Sequence, residues 1–373
     1  MRIETVAVHA GGDRDPVTRS VAPPIHLSTN YELGPGSEQI GGYIYGRNAN
    51  PTQDRLETAL AALEGGEAAL AFGSGVAAGA AVLQAIPPGS HVVFPDDVYY
   101  VYRQMAVEYL PRWWMEASIV DMTDLAGLAA AVRPNTRLVW AESPSNPLLK
   151  VTDLAAVAQI AHRSGALCLV DNTFATPILQ RPVESGFDLV LHSTTKYMGG
   201  HGDVQGGAVV FARRDAVLDA ARHVRDVQGA VASPFSSWLV LRGLRSLPCR
   251  VERHCSNALE VARFLASRPG VGVVHYPGLP GDPGHDVAAR QMTAFGGMLS
   301  FHVRAGREGA VRTTSRTKIF VNATSLGGPE SLIEHRASSE GHGSRTPDDL
   351  LRLSVGLESA QDLIEDLDQA LRV

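Results

Sequence analysis

The chain has 373 residues, of which 45% are hydrophobic and 19% charged, and its formal net charge is -6. This composition is typical of a globular protein with two or three domains, and a net negative charge disfavours a nucleic-acid or anionic-membrane surface. Three cysteines without a CxxC pair disfavour a disulfide framework and favour a reducing cytoplasm. The N-terminal residues lack the apolar core of a signal peptide. A membrane helix needs about 20 apolar residues, and no apolar stretch approaches that length.

The first fifty or so residues are predicted to be irregular. They are rich in Pro, Gly and His, as in "VAPPIHLSTNYELGPG", and show no helical period. Because a long irregular segment is unusual inside a compact domain, we expect residues 1–52 to form an arm that packs on a neighbouring subunit. Helical patterning begins after "NPT", in "QDRLETALAALEGG", and ends at Gly65 and Gly66.

Short apolar runs alternate with helical segments from residue 67 onward. The helical segments include "GSGVAAGAAVLQAI" and "DLAAVAQIAHRSG". The runs predicted as strands are "EAALAF", "HVVFPDD", "RLVWAESP", "ALCLVDN", "DLVLHS" and "GGAVVFA". This alternation predicts a mainly parallel, doubly wound α/β sheet in a domain spanning 53–234. Ligands bind outside the carboxyl ends of such strands, where Asp96, Glu142, Asp171 and Ser193 are predicted to lie.

The pattern changes near residue 235. Long helical stretches are followed by two strand-like runs, "GGMLSFHV" and "KIFVNATS", and by a closing amphipathic helix, "SAQDLIEDLDQALRV". We therefore predict a smaller α+β domain over 235–373.

Lys196 is the first candidate for chemistry. It lies in "LVLHSTTKYMGGHGDVQGG", behind Ser193 and Thr195 and ahead of several glycines. A lone lysine after a strand is usually a solvated surface residue. Here the hydroxyls and glycines could instead bind phosphate oxygens, and a partly desolvated lysine could form an imine.

Four further features each allow two interpretations. Asp171 could cap a helix or pair with a cationic ring nitrogen. "FGSGVAAG" could be a tight turn or a phosphate site at a helix N-terminus. Tyr99 could be an ordinary half-buried aromatic or could stack on a flat cofactor and transfer protons. Arg352 could be an edge residue or a bidentate clamp for a carboxylate.

The histidines show no spacing typical of a metal site. They are scattered along the chain, and we predict that they are structural and that the protein holds no metal. The histidines concerned are His192, His201, His254, His335 and His342.

Several motifs, taken in order, resemble one family closely. They are "YIYGRNANPT", "FGSGVAA", "AESPSNP", "LVDNTFATP", "HSTTKYMGGHGD", "RGLRSL", "ATSLGGPESLIEH" and "LLRLSVGLE". The chain is similar over nearly its whole length to the Cys/Met-metabolism enzymes that use pyridoxal phosphate (PLP), the group of cystathionine γ-synthase, cystathionine γ-lyase and methionine γ-lyase. The resemblance implies the fold type I, aspartate aminotransferase-like architecture, with a mainly parallel seven-stranded sheet.

The resemblance also implies a role for each matching residue. Lys196 would carry PLP as an imine and move protons, Asp171 would hold the pyridinium nitrogen, and Tyr99 would stack on the ring. The phosphate would be bound by Gly75, Val76, Ser193 and Thr195, and across a subunit interface by Tyr45 and Arg47. Asn146, supported by Glu142, would contact the 3-oxygen of the cofactor. Ser325 and Arg352 would hold the amino-acid end of the substrate, together with Thr324, Asn146 and Tyr45.

Departures from the family pattern concern the substrate. Relatives that take cystathionine often have a glutamate before "SLGG" and another before the arm tyrosine; here these are Thr324 and Ile44. Methionine γ-lyases often have a cysteine where this chain has Val101. The family's frequent "HPASMTH" is "HRASSEGHG" here, and Glu340 in that segment is one possible partner for a distal ammonium.

The hypothesis we favour is a carbon–sulfur lyase that performs γ-elimination on a sulfur amino acid and releases a thiol, an α-keto acid and ammonia. The alternative is a γ-replacement transferase of the cystathionine γ-synthase or O-acylhomoserine sulfhydrylase type. A non-catalytic protein on the same fold is disfavoured because Lys196, Asp171, Tyr99 and Arg352 occur together. We expect at least a dimer, with a homotetramer built as a pair of dimers sharing active sites.

Overall fold

The computed structural model describes residues 1–341 and 344–372. The helices are α1 (Ile3–His9), α2 (Pro51–Glu64), α3 (Gly75–Ala85), α4 (Tyr100–Gln104), α5 (Leu125–Ala131), α6 (Leu154–Arg163), α7 (Thr176–Leu179), α8 (Ala216–Gln228), α9 (Pro234–Leu244), α10 (Leu247–Ala266), α11 (His285–Gln291), α12 (Gly306–Arg316), α13 (Arg336–Glu340) and α14 (Ala360–Ala370). The strands are β1 (Ala68–Phe72), β2 (His91–Pro95), β3 (Glu116–Val120), β4 (Thr136–Glu142), β5 (Leu167–Asp171), β6 (Leu189–His192), β7 (Gly207–Phe211), β8 (Val271–His275), β9 (Met298–Val303), β10 (Val321–Asn322), β11 (Leu332–His335) and β12 (Leu350–Ser354). Single turns of π- or 3-10 helix lie at Met105–Tyr109, Leu110–Trp113 and Pro182–Ser185.

The larger sheet has seven strands in the order β1-β7-β6-β5-β4-β2-β3. The pairs β2–β3, β2–β4, β4–β5 and β5–β6 are parallel, and β7 runs antiparallel to both β1 and β6. Successive residues of β1 pack on opposite sides, Ala69 into one core and Leu70 into the other. Apolar layers therefore cover both faces, which explains why these strands are continuous apolar runs in the sequence.

Local signals fix the helices that adjoin this sheet. Asn50 caps α2 by accepting a hydrogen bond from the Thr52 N–H, Pro51 occupies its first turn, and Gly65 ends it with a left-handed φ of 78°. Ser74 caps α3 by accepting from the Ala77 N–H. These caps place the start of α3 directly after β1, at the edge of the sheet where the parallel strands end.

The second sheet has five strands in the order β10-β11-β12-β9-β8 and packs on α10, α12 and α14. In this region the predicted strand-like run "KIFVNATS" forms only the two-residue strand β10, while β8 and β11 were not predicted. All strands of the large sheet precede residue 235 in the sequence, and all strands of the small sheet follow it. The division of the chain into domains 1–52, 53–234 and 235–373 stays a prediction.

The N-terminal segment differs in part from the expectation of an irregular arm. Residues 3–9 form α1, which packs on α2, whereas residues 10–50 contain only isolated β-bridges such as Asn30 with Tyr45. The sequence prediction missed α1 because a helix of seven residues is too short to show a clear period. Within the described ranges, no helix combines the length and the apolar character needed to cross a membrane.

Candidate active site

A cavity of about 610 Å³ opens at the carboxyl ends of the parallel strands, between the two sheets. Most of the residues predicted for the site line it: Gly75, Val76, Tyr99, Glu142, Asn146, Asp171, Ser193, Thr195, Lys196, Thr324, Ser325 and Arg352. The placement follows from the topology, because residues that follow parallel strands meet at one edge of a sheet.

Lys196 projects into this cavity from the loop that follows β6. Its Nζ donates a hydrogen bond of 2.7 Å to Ser325 Oγ. Burial lowers the pKa of Lys196 to about 8, and the nearby Arg352 guanidinium adds to the effect. The chain has two other lysines: Lys150 is paired with Asp96 and Asp121, and Lys318 is exposed. Lys196 is therefore the lysine whose amine is most easily deprotonated near neutral pH.

Two carboxyl groups lie side by side opposite this lysine. Glu142 and Asp171 end the neighbouring strands β4 and β5 and are paired in register. Burial raises the pKa of Asp171, although its bonds to Thr173 oppose the shift, and burial together with Asp171 raises the pKa of Glu142 well above its usual value. Two adjacent carboxyl groups favour a cation beside them, and a protonated ring nitrogen meets that requirement.

The N-terminus of α3 forms the third wall. Its first backbone N–H groups lack partners within the helix and point toward anions that approach the N-terminus. A Cβ on Gly75 would lie 2.9 Å from the Ser193 Cβ, so only glycine lets the two loops approach this closely. The Thr195 hydroxyl donates to the Gly206 carbonyl at 3.1 Å, which ties the glycine-rich loop to the same wall.

Tyr99 lies at the mouth of the cavity, where its backbone N–H donates to Glu142 Oε2 at 2.9 Å. Its ring makes edge contacts with Tyr100 and Tyr102. Burial, with a contribution from Tyr100, raises the pKa of Tyr99 to about 12. The phenol therefore stays protonated at neutral pH and can donate a proton rather than accept one.

The wall across from Asp171 comes from the second sheet. Arg352 donates to Asn146 Oδ1 at 2.9 Å and to the Ser325 carbonyl at 3.1 Å, and it pairs with Glu334 across β11 and β12. Ser325 has a φ of 88°, a conformation that non-glycine residues rarely adopt. Backbone strain of this kind persists where surrounding contacts hold it, and here the Lys196 amine binds the side chain.

Sequence reasoning missed two charged residues of this wall, Glu334 and Arg336, which also line the cavity. Both are nearly fully buried, and they form an ion pair with each other. The available signal was "IEHRASSE", in which acidic and basic residues follow an apolar run. Their place at the site depends on β11, which was not predicted.

Tyr45 and Arg47 do not line the cavity of this chain. Both lie on the arm: Tyr45 is exposed, and Arg47 donates to the Asp226 carbonyl and lies over the Tyr45 ring. Their predicted role in a neighbouring subunit's site stays a prediction.

Four of the scattered histidines hydrogen-bond to protein groups in the structure. His192 pairs with the buried Glu64, and His201, His254 and His335 donate to backbone carbonyls. The fifth, His342, lies outside the described residues. Elsewhere His162, Cys168 and Asp188 place three potential ligand atoms close together, but Asp188 is already paired with His162 and Arg213.

Comparisons with known proteins agree on the family. The family model described as "Cys/Met metabolism PLP-dependent enzyme" matches residues 4–372. A protein named cystathionine gamma-synthase from Mycobacterium tuberculosis is 48% identical over 98% of this chain and 96% of its own length. A protein named cystathionine gamma-lyase from Bacillus subtilis is 42% identical over 100% of this chain and 99% of its own length. The crystal structure of metB from Corynebacterium glutamicum superimposes with a TM-score of 0.96 at 42% identity, covering 100% of this chain and 98% of that one.

The residues of the cavity fit PLP. A lysine of lowered pKa, a pair of carboxyl groups suited to a ring nitrogen, and a helix N-terminus suited to a phosphate surround one space. This donor set matches the aldehyde, the pyridine nitrogen and the phosphate of that cofactor.

The lowered pKa of Lys196 makes a testable prediction. Only the free amine, and not the ammonium form, can attack the aldehyde of PLP. With the lowered pKa, the fraction of Lys196 present as free amine increases as pH rises through about 8 rather than through 10.5. We expect the rate at which cofactor-free enzyme captures PLP, followed by absorbance, to rise with pH to a midpoint near 8 and then to level off. A rate that is still rising in proportion to hydroxide between about pH 9 and 10 would contradict the lowered pKa.

Proposed function

We propose that this protein breaks the bond between Cγ and sulfur of a sulfur amino acid by γ-elimination. The chain belongs to the Cys/Met metabolism family of PLP-dependent enzymes and has the fold type I architecture. The observation that carries the proposal is the bond between the Lys196 amine and Ser325 Oγ, next to the Arg352 guanidinium. A proton-transfer group thus lies beside a group that can hold the α-carboxylate of an amino acid.

We propose that the residues around the cavity hold the cofactor as the family resemblance implies. Lys196 would attach it, Asp171 would hold its ring nitrogen, Tyr99 would stack on its ring, and Asn146 would contact its 3-oxygen with the support of Glu142. Its phosphate is bound by Gly75, Val76, Ser193 and Thr195. When bound, PLP supplies an electron sink that acidifies the C–H bonds of the attached amino acid.

In this mechanism Arg352 and Ser325 orient the substrate by its α-carboxylate. The Lys196 amine takes the proton from Cα and, once free again, takes a second proton from Cβ. The thiolate departs from Cγ and takes a proton from the Tyr99 hydroxyl, which burial keeps protonated. After the leaving group has departed, one of the two protons taken from carbon returns to Cγ and the other restores the Tyr99 hydroxyl. Hydrolysis of what remains gives an α-keto acid and ammonia.

We propose a thioether without a distal ammonium, such as methionine, as the preferred substrate. Thr324 lines the cavity where many relatives have a glutamate, and Ile44 lies on the arm, away from this chain's cavity. The other candidate partner, Glu340, bonds to Arg336 at 2.9 Å and to the Ser344 and Thr346 hydroxyls. Neither Thr324 nor Glu340 therefore offers a free carboxylate to a distal ammonium.

The second candidate is γ-replacement, in which an added thiol attacks Cγ after the same leaving group has departed. It is favoured by the name of the Mycobacterium relative, a cystathionine gamma-synthase. Product analysis distinguishes elimination from replacement. Elimination gives keto acid and ammonia whether or not a thiol is added. Replacement gives a new thioether amino acid, and the yields of keto acid and ammonia fall accordingly.

We propose further that the arm completes the site of a neighbouring copy, within a dimer or a pair of dimers. The arm exposes several large apolar side chains, an arrangement typical of a surface that a partner covers. They are Val17, Val21, Leu27, Ile40 and Ile44. Tyr45 and Arg47 follow these residues and would reach the partner's phosphate.

We also propose a cytoplasmic location. The three cysteines are free, with Cys168 and Cys255 buried and Cys249 exposed. Free thiols of this kind are typical of a reducing compartment.

Replacing Lys196 tests the assignment of the cofactor lysine. We expect Lys196→Ala to lose both the visible absorbance of attached PLP and turnover, because no other lysine is at the site. The matched control, Lys318→Ala, removes an exposed lysine and should retain both. Turnover of Lys196→Ala near the parent rate would refute the assignment.

Substrate selectivity tests the proposed substrate class. Loss of a charge-assisted hydrogen bond costs about 1.5–3 kcal/mol, so we expect kcat/KM to favour methionine over cystathionine by roughly 10- to 200-fold. Thr324→Glu should shift this ratio toward cystathionine, whereas Thr58→Glu, an exposed helix position, should not. A clear preference of the parent enzyme for cystathionine would overturn the proposal.

The shared site is tested at Arg47. We expect Arg47→Ala to weaken PLP binding by roughly tenfold or more, since a hydrogen bond to a charged group contributes about 1.5–3 kcal/mol. Arg112→Ala removes another exposed arginine that contacts a tyrosine ring and serves as the control. Unchanged cofactor affinity in Arg47→Ala, or a fully active monomer in solution, would show that the site is not shared.

A further inference from the structure

Arg336 is a charged group of the cavity that the proposed mechanism does not use. It begins α13, directly after β11, in the place where the family motif quoted above has a proline. The side chain is nearly fully buried, lines the cavity and lies over the Tyr100 ring. A buried guanidinium is costly unless it is paired, so its partners indicate its role.

These partners form a chain of four alternating charges, Arg352–Glu334–Arg336–Glu340. Glu334 Oε2 accepts from Arg352 at 2.5 Å, and its other oxygen accepts from Arg336 at 3.2 Å. Arg336 also donates to Glu340 at 2.9 Å. Glu340 is fixed at the far end by the Ser344 and Thr346 hydroxyls.

The chain of charges matters because Arg352 is the proposed site of the α-carboxylate. If Glu334 were paired with Arg352 alone, the two charges would neutralise each other and an incoming carboxylate would meet a buried anion. Burial on its own would raise the pKa of Glu334, but Arg352 and Arg336 together hold it below its usual value. Glu334 is therefore a carboxylate shared by two cations.

We propose that Arg336 is a positioning residue that takes part of the charge of Glu334 and so leaves Arg352 able to bind the α-carboxylate of the substrate. The inference rests on the proposed role of Arg352. It assigns Arg336 no contact with the substrate: Arg336 acts through Glu334, and Glu340 with its two hydroxyl partners holds Arg336 in place.

The test measures binding rather than turnover. L-alanine, which has no γ leaving group, and ethylamine, which lacks a carboxylate, are titrated into the holoenzyme while the absorbance of the bound cofactor is followed. In Arg336→Met we expect the dissociation constant of L-alanine to rise on the order of tenfold, because Arg336 and Arg352 belong to one hydrogen-bonded network. The dissociation constant of ethylamine should change by less than about twofold, because ethylamine has no carboxylate for Arg352 to bind. Arg336→Lys keeps the charge and should lie between parent and Arg336→Met.

Two further variants identify the route of the effect. In a Glu334→Gln background, Arg336→Met should change L-alanine binding by less than about twofold, because the carboxylate through which it acts is gone. Glu340→Gln keeps a hydrogen-bonding side chain beside Arg336 but removes the charge that competes with Glu334 for it, so this variant should bind L-alanine no more weakly than the parent. An equal loss with and without Glu334 would show that Arg336 meets the ligand directly and would overturn the inference.

The outcomes also separate this inference from the proposed function. If the parent enzyme binds L-alanine no more tightly than ethylamine, Arg352 is not the carboxylate site and the proposed function fails with it. If L-alanine binds more tightly but Arg336→Met and Arg336→Lys leave its binding unchanged, the inference alone is wrong.

Discussion

The hydrogen bond between the Lys196 amine and the Ser325 hydroxyl is the contact on which the rest of the site depends. Lys196 follows β6 of the seven-stranded sheet, and Ser325 follows β10 of the five-stranded sheet. The bond joins the walls that the two sheets contribute to the cavity, where the amine is largely removed from water. Because desolvation disfavours the ammonium form, this burial lowers the pKa of the Lys196 amine to about 8, as a nucleophile or a base near neutral pH requires.

The other charges of the cavity are arranged in relation to that amine. Asp171 and Glu142 are paired in register on the large sheet, where a ring nitrogen would be received, and Arg352 and Glu334 are paired in register on the small one. Burial lowers the pKa of Arg352 to about 10, with Glu334 opposing the shift, so the group keeps its charge throughout the physiological range. Each sheet thus contributes a pair of ionisable groups in register, and the cofactor and the amino acid would lie between them.

Much of this arrangement could be predicted from the sequence, for a physical reason. Strands buried on both faces are continuous apolar runs, so a polar residue that ends such a run, as Glu142 and Asp171 do, marks the edge where ligands bind. Pairing in the small sheet could not be predicted in this way, because β8 contains Gly272 and β11 ends in Glu334 and His335, so neither is a continuous apolar run. Glu334 and Arg336 were missed for that reason, since only the register of β11 brings Glu334 to Arg352. The roles of Tyr45 and Arg47 depend on a second chain and remain predictions.

The central claim is that Lys196 carries the cofactor, and one chemical measurement tests it most directly. Borohydride reduction of the holoenzyme fixes the cofactor to the lysine that holds it, and peptide mass mapping then locates the label. The account predicts that the pyridoxyl phosphate mass lies on the peptide containing Lys196, because its amine is the one of lowered pKa in the cavity. A label on Lys150 or Lys318, or no stable label at all, would contradict it.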